Sequence, residues 1–584
     1  MKSLFVYLKN YIKECVMGPL FKLLEASFEL LVPLVVADII DKGIVGADKS
    51  YIISRVFILI LLAVVGFTCS VTAQFFAAKA ATGFATELRH SLFAHIQKLS
   101  FTEIDEMGTS KLINRMTTDV NSVQGCVNMV LRLFLRSPFI VLGAMIMAFT
   151  IDVKCALIFC VTIPLLSVVV FGVMLASIPL YKKVQSGLDS VLKITRENLT
   201  GTRVIRAFNR TKHEDKRFKD ANDDLTGMVV TVQRIFASLI PIVTLLAFLL
   251  IILLVAIGYV QINRLTDPVE IQNTIGDLQA FIIYLVFVVI ALTNAAAMFI
   301  MLPRAKISAN RINDVLELQP EMEILPKEDN NSEKGVIEFR NVSFKYKNPD
   351  GEYTDVLKDV SFTANPGKVT AIIGGTGSGK STILNLIPRF YDVADGAVFL
   401  DGYDVRQMDF ASIYSKIGYI PQQAFLFSGT IADNLRYGKE DATDAELWHA
   451  LEIAQAKDFV EKLPDGLYSM ISQNGTNLSG GQKQRLCIAR AIVKEALFYM
   501  FDDSFSALDF ATDARLRRAL KENLKNSSIL IVAQRVGTII DADKIIVLDR
   551  GQVVGTGTHE ELLQSCNVYK DIVASQLSEE EATE

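Results

Sequence analysis

The clearest chemical signal in the sequence is a glycine-rich segment that follows a short apolar run. The run "VTAII" at 369–373 leads into "GGTGSGKST" at 374–382, which matches the pattern GxxxxGK[ST] of a phosphate-binding loop. The backbone amides of such a loop surround phosphate oxygens at a helix N-terminus, where the helix dipole favours anions. We therefore expect nucleotide phosphates to be bound by Gly374, Gly375, Thr376, Gly377, Ser378, Gly379, Lys380, Ser381 and Thr382.

A second apolar run ends in carboxylates that could complete a metal site. "LFYMFDD" at 497–503 reads as a buried strand that brings Asp502 to the loop. Lys380 would neutralise the terminal phosphates, while Ser381 and Asp502 would hold Mg²⁺. Between the loop and this strand lies "NLSGGQKQRLCIARA" at 477–491, a glycine-containing turn that begins a helix. That turn is a second candidate for anion binding.

The elements that must position these residues belong to an α/β domain. From Val336 onward, short β-branched runs alternate with helical patterns, as expected for a largely parallel sheet. The stretch "LQPEMEILPKEDNNSEKG" at 318–335 is polar and contains proline, and is typical of a linker. We predict a transmembrane domain over 1–310, a linker over 311–335 and a nucleotide-binding domain over 336–584.

The first half of the chain has the composition of a membrane domain. Of the 584 residues, 51% are hydrophobic and only 21% are charged. Because a transmembrane helix needs about 20 apolar residues, we predict six spans. Four are free of charge (56–78, 155–181, 235–263 and 278–303) and two carry charges (20–44 and 131–151). Buried helices of a soluble protein rarely run this long without a charge.

Charge and cysteine usage exclude other classes and set the orientation. The net charge of −5 does not indicate a surface that binds nucleic acid. The seven cysteines are scattered and form no CxxC motif, which argues against disulfides or a zinc site. The connection 182–233 is rich in Lys and Arg, whereas the loops on the other side are short and weakly charged. The positive-inside rule therefore places the termini and the long connections 80–128 and 182–233 in the cytoplasm, at a bacterial inner membrane. These connections look helical, so we expect a cytoplasmic part to dock against their turns.

Two carboxylates fall inside the first predicted span. Glu25 and Glu29 are spaced i, i+4 and share one helix face. Carboxylates within a membrane are functional candidates by default. They either pair with Lys22, Arg132 or Arg136, or contact a substrate or cation directly. Polar residues of the last span, Gln279 and Asn294, could line a pathway or bond between helices.

The order of the motifs resembles one family. Tyr346 in "SFKY", the phosphate loop, Gln422 in "IPQQAFLFSGT", "LSGGQ" at 478–482, Asp502 and "SALD" at 506–509 resemble an ATP-binding-cassette (ABC) nucleotide-binding domain. The preceding spans resemble an exporter half-transporter, and "FTEIDEMGTSKLINRMTTDV" and "TGTRVIRAFNRTKHEDKRF" are similar to its two intracellular coupling regions. The predicted fold class is a membrane all-α six-helix transmembrane domain followed by an α/β P-loop ATP-binding-cassette nucleotide-binding domain.

The resemblance implies roles for further residues. Tyr346 would stack on adenine, and Gln422 would contact the magnesium and report to the coupling regions. The segment Ser479, Gly480, Gly481 and Gln482 would cap the γ-phosphate of an ATP bound to another subunit. One such domain cannot form a whole site, so the resemblance implies a dimer.

Three positions depart from the family pattern. Asp503 stands where a catalytic Glu follows the metal aspartate, Gln534 stands where a switch His is usual, and Gln473 replaces a further Glu. The shorter Asp sets its carboxylate back by more than about 1 Å, and a displacement of that size can cost about 10²-fold in rate. Gln donates a hydrogen bond but cannot carry the proton of an imidazole.

Together these departures predict a division of labour between two subunits. The chain would bind ATP at its own degenerate site, and its LSGGQ would complete a hydrolytic site on a partner with intact Glu and His. A slow homodimeric exporter and an ATP-gated membrane protein without net pumping remain the alternatives. A soluble cassette ATPase would leave the apolar spans unexplained. A weakly charged membrane domain favours amphipathic or hydrophobic cargo such as drugs, lipids or peptides.

Overall fold

The computed structural model describes residues 2–44, 48–266, 268–320, 322, 334–347 and 352–581. Its internal contacts divide the chain into two units. The first comprises Met1–Gln97 and Thr109–Leu318, and the second comprises Lys98–Gly108 and Gln319–Glu584. The short segment 98–108 therefore belongs by its contacts to the second unit, although in the sequence it is flanked on both sides by helical segments of the first unit.

The chain up to residue 316 is helical almost throughout. Its α-helices are α1 (Ile12–Asp38), α2 (Lys49–Ile96), α3 (Phe101–Met107), α4 (Thr109–Asn114), α5 (Val120–Met129), α6 (Arg136–Ile151), α7 (Val153–Thr200), α8 (Thr202–Ala207), α9 (Thr211–Ile262) and α10 (Pro268–Leu316). Wider π-helical turns connect some of them, at Ile39–Ile44, Arg115–Asp119 and Val130–Phe134, and a 3-10 helix, Lys2–Tyr11, precedes α1.

Five helices in the described part of the chain are long and apolar enough to cross a membrane. They are Lys49–Ile96, Thr109–Ile151, Val153–Thr200, Thr211–Ile262 and Glu270–Leu316, and they contain five of the six predicted spans. The prediction of six is not confirmed, because α1, which covers most of 20–44, carries Lys22, Glu25 and Glu29 and is not among them.

The long helices extend well beyond a bilayer, as predicted. At 1.5 Å per residue, the 48 residues of α2 span about 72 Å. The hydrocarbon core of a bilayer is only about 30 Å thick. The predicted polar connections are therefore mostly helical continuations of the spans.

Small residues allow close helix contacts in the first unit. The face of α2 that packs on α1 buries Ala73, Ala77 and Ala80 almost completely. A Cβ at Gly18 of α1 would lie 3.4 Å from the backbone nitrogen of Ala77, which shows how near the two backbones come. Contacts of this kind are typical of helices that associate without a hydrophobic driving force.

The described residues of the second unit form three sheets. Its strands are β1 (Ile337–Lys347), β2 (Tyr353–Ala364), β3 (Val369–Gly374), β4 (Asp395–Leu400), β5 (Tyr403–Asp404), β6 (Ile417–Ile420), β7 (Gly429–Thr430), β8 (Met470–Ile471), β9 (Phe498–Asp502), β10 (Ser528–Val532), β11 (Lys544–Asp549) and β12 (Gln552–Gly557). The largest sheet has the order β12-β11-β3-β10-β9-β6 and is parallel except for β12. The order β2-β1-β4-β5 forms an antiparallel sheet, and β7 pairs with β8.

Apolar residues on both faces explain the apolar run of β9. Phe498 and Met500 join the core that includes the antiparallel sheet, whereas Tyr499 and Phe501 join the core on the opposite face. A parallel strand buried on both faces reads as a continuous apolar segment. The α/β class predicted for this half is confirmed.

Helices cover the sheets of the second unit. Besides α3 they are α11 (Lys380–Leu386), α12 (Phe410–Lys416), α13 (Ile431–Arg436), α14 (Asp444–Ile453), α15 (Lys457–Glu461), α16 (Gly480–Val493), α17 (Phe510–Asn523), α18 (Val536–Ile539), α19 (His559–Ser565) and α20 (Asn567–Glu581). The helix α10 continues past residue 310 to Leu316, because Ile312 and Val315 are fully buried. Twelve of the 25 residues of the predicted linker, 321 and 323–333, lie outside the described residues.

Candidate active site

The phosphate loop connects β3 to α11 and is held by its own lysine. Lys380 Nζ donates hydrogen bonds to the carbonyl oxygens of Gly374 and Gly375, both at 2.8 Å. Gly377 and Gly379 have φ angles of 80° and 97°, in the region that favours glycine. Burial lowers the pKa of Lys380, and the nearby Asp503 and Asp502 carboxylates act in the opposite direction. The loop thus presents backbone amides and one buried amine to an anion.

Two of the three predicted metal ligands, Ser381 and Asp502, are in direct contact. β9 ends at Asp502, and Ser381 Oγ donates a hydrogen bond to Asp502 Oδ1 at 2.9 Å. Burial raises the pKa of Asp502, an effect that the Ser381 hydrogen bond opposes. A hydroxyl and a carboxylate are oxygen donors of the kind that Mg²⁺ prefers, so the residues fit that ion. Bound Mg²⁺ would neutralise charge that develops on the phosphates.

Asp503 follows in a left-handed backbone conformation, with φ of 45°. Its backbone amide donates to Val532 O at 2.9 Å, which fixes the residue to β10. Its carboxylate accepts a hydrogen bond from Gln422 Nε2 at 3.4 Å. Burial raises the pKa of Asp503. The structure thus brings Gln422 and Asp503 together, whereas the described side-chain hydrogen bond of the Gln534 backbone is to Gln576.

A residue that the sequence did not indicate holds the segment around Gln534. Gln576 in α20 donates from Nε2 to Gln534 O at 2.7 Å and accepts from the Val536 amide at 2.7 Å. Two bonds from one amide side chain fix the backbone on both sides of Arg535. No sequence pattern marks Gln576, because it lies 42 residues from Gln534 on a separate helix.

Tyr346 lies at the edge of the loop, near the end of β1. Its hydroxyl is 3.5 Å from Thr382 Oγ1, and its ring meets those of Phe344 and Tyr391 edge-on at centroid distances of 4.7 and 5.3 Å. A cavity of about 400 Å³ opens beside Tyr346 and Tyr391, and Asp105 of α3 also lines it. The ring is thus placed between the phosphate loop and the docked helix α3.

Helix α3 is attached to the second unit by polar and aromatic contacts. Tyr391 donates to Asp105 Oδ2 at 2.6 Å, and Lys347 pairs with Glu106 at 2.8 Å. The ring of Phe101 lies 4.5 Å from that of Phe390. The docking contacts that were predicted at the turns of the long connections are therefore present at the turn of the first connection. Sequence reasoning missed Tyr391, which follows an ordinary helix end.

The LSGGQ segment forms the N-terminus of α16. Ser479 Oγ accepts from the Gln482 amide at 3.3 Å, and Gln482 Oε1 accepts from the Ser479 amide at 2.9 Å. A Cβ at Gly480 would meet nothing within 4 Å, whereas one at Gly481 would lie 3.2 Å from Ala507 O. Among the described residues no hydrogen bond or ion pair joins 479–482 to the loop 374–382. Gln473 begins a 3-10 turn, Gln473–Gly475, ahead of this segment.

The carboxylates of α1 are paired with cations in the first unit. Lys22 Nζ lies 2.5 Å from Glu25 Oε2, and Arg136 lies 2.7 Å from Glu29 Oε2. Of the two alternatives drawn from the sequence, these contacts match the ion-pair alternative.

Comparisons with known proteins agree with this architecture. Residues 15–292 match the ABC transporter transmembrane region, and residues 357–506 match the ABC transporter family. The chain is also 36% identical over 575 residues to an uncharacterized ABC transporter ATP-binding protein of Mycobacterium tuberculosis, covering 98% of this chain and 97% of that one. The chain belongs to the ABC transporter family. It joins one transmembrane region to one ATP-binding domain, which is the arrangement of a half-transporter.

Other relatives extend the comparison. The half-transporter is 36% identical over 582 residues to an uncharacterized ABC transporter ATP-binding protein of Bacillus subtilis, covering 99% of each. It is 32% identical over 505 residues to an ATP-dependent lipid A-core flippase of Syntrophus aciditrophicus, covering 85% of this chain and 81% of the flippase. The solved structure of a bacterial Atm1-family ABC exporter with ATP bound shares the fold, with a TM-score of 0.79 and 23% identity over 97% of this chain and 99% of that one.

Proposed function

We propose that this half-transporter is one subunit of an ATP-driven exporter and that its own ATP site binds more readily than it hydrolyses. ATP and Mg²⁺ would be held by the loop 374–382 and by Asp502, with Tyr346 against the adenine. The Lys380 and Ser381 contacts support this, because the loop and the metal ligands are already arranged without a ligand. The relative described as an ATP-dependent flippase supports an amphipathic or hydrophobic cargo.

Asp503 carries the proposal. A general base must lie within hydrogen-bonding reach of the water that it activates. The short Asp503 side chain instead accepts a hydrogen bond from Gln422, on a backbone fixed to Val532. Gln534 stands where the family has a histidine, and its amide cannot carry a proton as an imidazole does. Gln422 would report nucleotide binding to the coupling regions.

The signature segment supports a role in a second subunit. Gly480 is open on its outer side, and nothing among the described contacts ties Ser479 or Gln482 to the loop of the same chain. We therefore propose a heterodimer in which 479–482 completes the site of a partner that has intact Glu and His. Both subunits would lie in the bacterial inner membrane, with the ATP-binding domains in the cytoplasm and six spans in this chain.

Single-site ATPase activity of the purified complex tests the proposal. With the partner's catalytic Glu replaced by Gln, hydrolysis should fall by about 10²-fold or more, because only the Asp503 site remains. Hydrolysis close to the rate of the intact complex would contradict it. Purification of the chain alone as an active dimer would favour the homodimer. ATP-dependent accumulation of cargo in inverted vesicles separates an exporter from an ATP-gated protein that does not pump.

A further inference from the structure

A second cavity of the ATP-binding unit lies apart from the nucleotide site. It has a volume of about 340 Å³ and is lined by residues of α17, α18, β3 and β10. Its lining residues Ala371 and Ile531 belong to the core on one face of the large sheet. The helix α11, which follows the phosphate loop, packs on the opposite face through Ile383 and Leu384. The sheet therefore separates this cavity from the helix that begins at the phosphate loop.

Small side chains leave the space open. Ala371 of β3 is paired with Ile531 of β10 and with Ile545 of β11, and all three side chains lie in the same core. The alanine thus leaves a gap between two larger side chains. Ala514 of α17 and Ala542 line the cavity from other sides, and neither extends beyond its Cβ. The result is an apolar floor in a cavity within the size range of small-molecule sites, about 300–1,000 Å³.

One face of α17 supplies positive charge to the same cavity. Ala514, Arg517, Arg518 and Lys521 all line it. They are spaced i, i+3, i+4 and i+7, which places them on one face of the helix. The lining residues that the structure describes include three cations and one carboxylate, Asp541. The cavity therefore combines an apolar floor with an excess of positive charge.

The carboxylates near the cavity already have partners. Arg517 Nε lies 3.2 Å from Asp513 Oδ1, and Arg517 Nη1 lies 3.5 Å from Asp541 Oδ2. Asp543, which follows the lining residue Ala542, pairs with Lys368 at 3.2 Å. Of the three lining cations, Arg517 is thus the one that these carboxylates engage.

Arg518 and Lys521 carry the excess charge. Within the described part of the chain, no Asp or Glu oxygen lies within 4.0 Å of either side chain. Both are exposed, which is ordinary for such residues in isolation. Here, however, they stand one turn apart beside an apolar cavity of ligand size. An anion held by both would have its apolar part directed at the floor around Ala371.

We propose that this cavity binds a small organic anion, with its apolar ring on the floor at Ala371 and its anionic group at Arg518 and Lys521. A guanidinium and an ammonium both donate hydrogen bonds to an anion, and charged bonds of this kind are the strong ones. The occupant would contact two elements that flank the ATP site, since α17 follows the segment 506–509 and α18 begins two residues after Gln534. The proposal goes beyond the exporter function, because binding here requires neither transport nor hydrolysis.

The test is isothermal titration calorimetry on the full complex in nanodiscs of zwitterionic lipid, with empty nanodiscs to subtract partitioning. The probes share one ring system and differ in charge: 2-naphthoate, 2-naphthamide and 2-naphthylmethylammonium. The naphthoate should bind at least about 10-fold more tightly than the other two. Arg518→Gln with Lys521→Gln should weaken naphthoate binding by about 10-fold or more. Lys525→Gln is the control for loss of charge, because Lys525 is exposed and does not line the cavity.

Ala514→Phe tests the cavity without changing its charge. Position 514 is exposed on α17, so the larger side chain fills the cavity from the helix surface, and naphthoate binding should fall by about 10-fold or more. The Tm of each variant complex shows that it is folded. Unchanged naphthoate affinity in a folded Ala514→Phe complex, or in the folded Arg518→Gln/Lys521→Gln complex, would overturn the proposal.

Two further comparisons need no change in the cavity. Equal affinity of the wild type for the three probes would overturn the proposal. Lys380→Ala should leave naphthoate affinity unchanged, whereas loss of binding in that variant would assign the probe to the phosphate loop and overturn the proposal. Because the titration measures binding alone, fast hydrolysis at the Asp503 site would contradict the proposed function without affecting this result.

Discussion

Restoring the two departures at the ATP site should restore hydrolysis there. Asp503→Glu adds one methylene, which moves the carboxylate outward by about 1.5 Å along the side chain. Because the Asp503 amide is bonded to Val532 O at 2.9 Å, the backbone cannot follow and cancel that gain. A displacement of about 1 Å is worth about 10²-fold in rate. Asp503→Glu with Gln534→His should therefore raise single-site hydrolysis by about 10²-fold.

Neither change alone should reach that value. Groups that act as a unit are strongly non-additive, and a base without its switch gains little. We expect Asp503→Glu alone to raise the rate by less than about 10-fold. A partner with a degenerate signature segment would keep even the double variant slow, so the signature of the partner must be intact.

Stability should change in the opposite direction. Asp503 has φ of 45°, and Asp tolerates this left-handed region better than Glu does. We expect Asp503→Glu to cost about 1 kcal/mol. For a domain of this size that corresponds to a fall in Tm of about 2–4 °C. A rise in activity together with a fall in Tm is the signature of the proposed geometry.

The assay is steady-state ATPase activity of the purified complex with the partner's catalytic Glu replaced by Gln. Asp503→Asn is the matched control, because it keeps the size of the side chain and removes the base. Fast hydrolysis in the complex that carries neither substitution would refute the claim that the Asp503 site is degenerate.

Three other variants test separate parts of the molecule. Gly480→Asp should nearly abolish ATPase activity of the complex, whereas Asp503→Asn should leave most of it. A Cβ at Gly480 would meet no atom of its own subunit within 4 Å, so the new carboxylate would act on the proposed partner's site. Equal losses would indicate two equivalent sites. Lys380→Ala should lower nucleotide occupancy, measured by labelled ATP retained on the complex, while hydrolysis at the partner's site persists; unchanged occupancy would contradict the assigned loop. Tyr391→Phe removes only the hydroxyl that bonds Asp105 at 2.6 Å. The stimulation of ATPase activity by cargo should therefore fall several-fold, while the basal ATPase activity should not change. An unchanged stimulation would exclude a coupling role for that bond.

The sequence predicted the parts of the site that depend on local pattern. A glycine loop after an apolar strand, and a strand ending in Asp502, are local features, and β3 and β9 deliver both to the same edge of the sheet, with β10 between them. The Ser381–Asp502 contact follows from that register. Family resemblance added Gln422, which does lie beside Asp503.

The contacts that escaped prediction join distant segments. Gln576 fixes the Gln534 segment from α20, and Tyr391 bonds Asp105 across 286 positions of sequence. Neither residue belongs to a pattern of spacing, because single hydrogen bonds between distant segments leave no periodic trace in the sequence. The count of six spans is not confirmed for a different reason: α1 is helical as expected, but it carries Lys22, Glu25 and Glu29 and is not among the five helices that are apolar enough to cross a membrane.

The backbone at position 503 also suggests why an aspartate is stable there. A left-handed φ at a non-glycine residue stores strain, and such strain is typical of functional sites. A glutamate that is needed for hydrolysis must bear this strain, whereas Asp bears less of it. In a subunit whose partner hydrolyses the ATP, replacing Glu by Asp would lower activity that is not required and raise the free energy of unfolding. On this interpretation, Asp503 is the residue expected in a site that binds ATP without hydrolysing it. The variant Asp503→Glu tests both effects at once, because its hydrolysis rate should rise while its Tm falls.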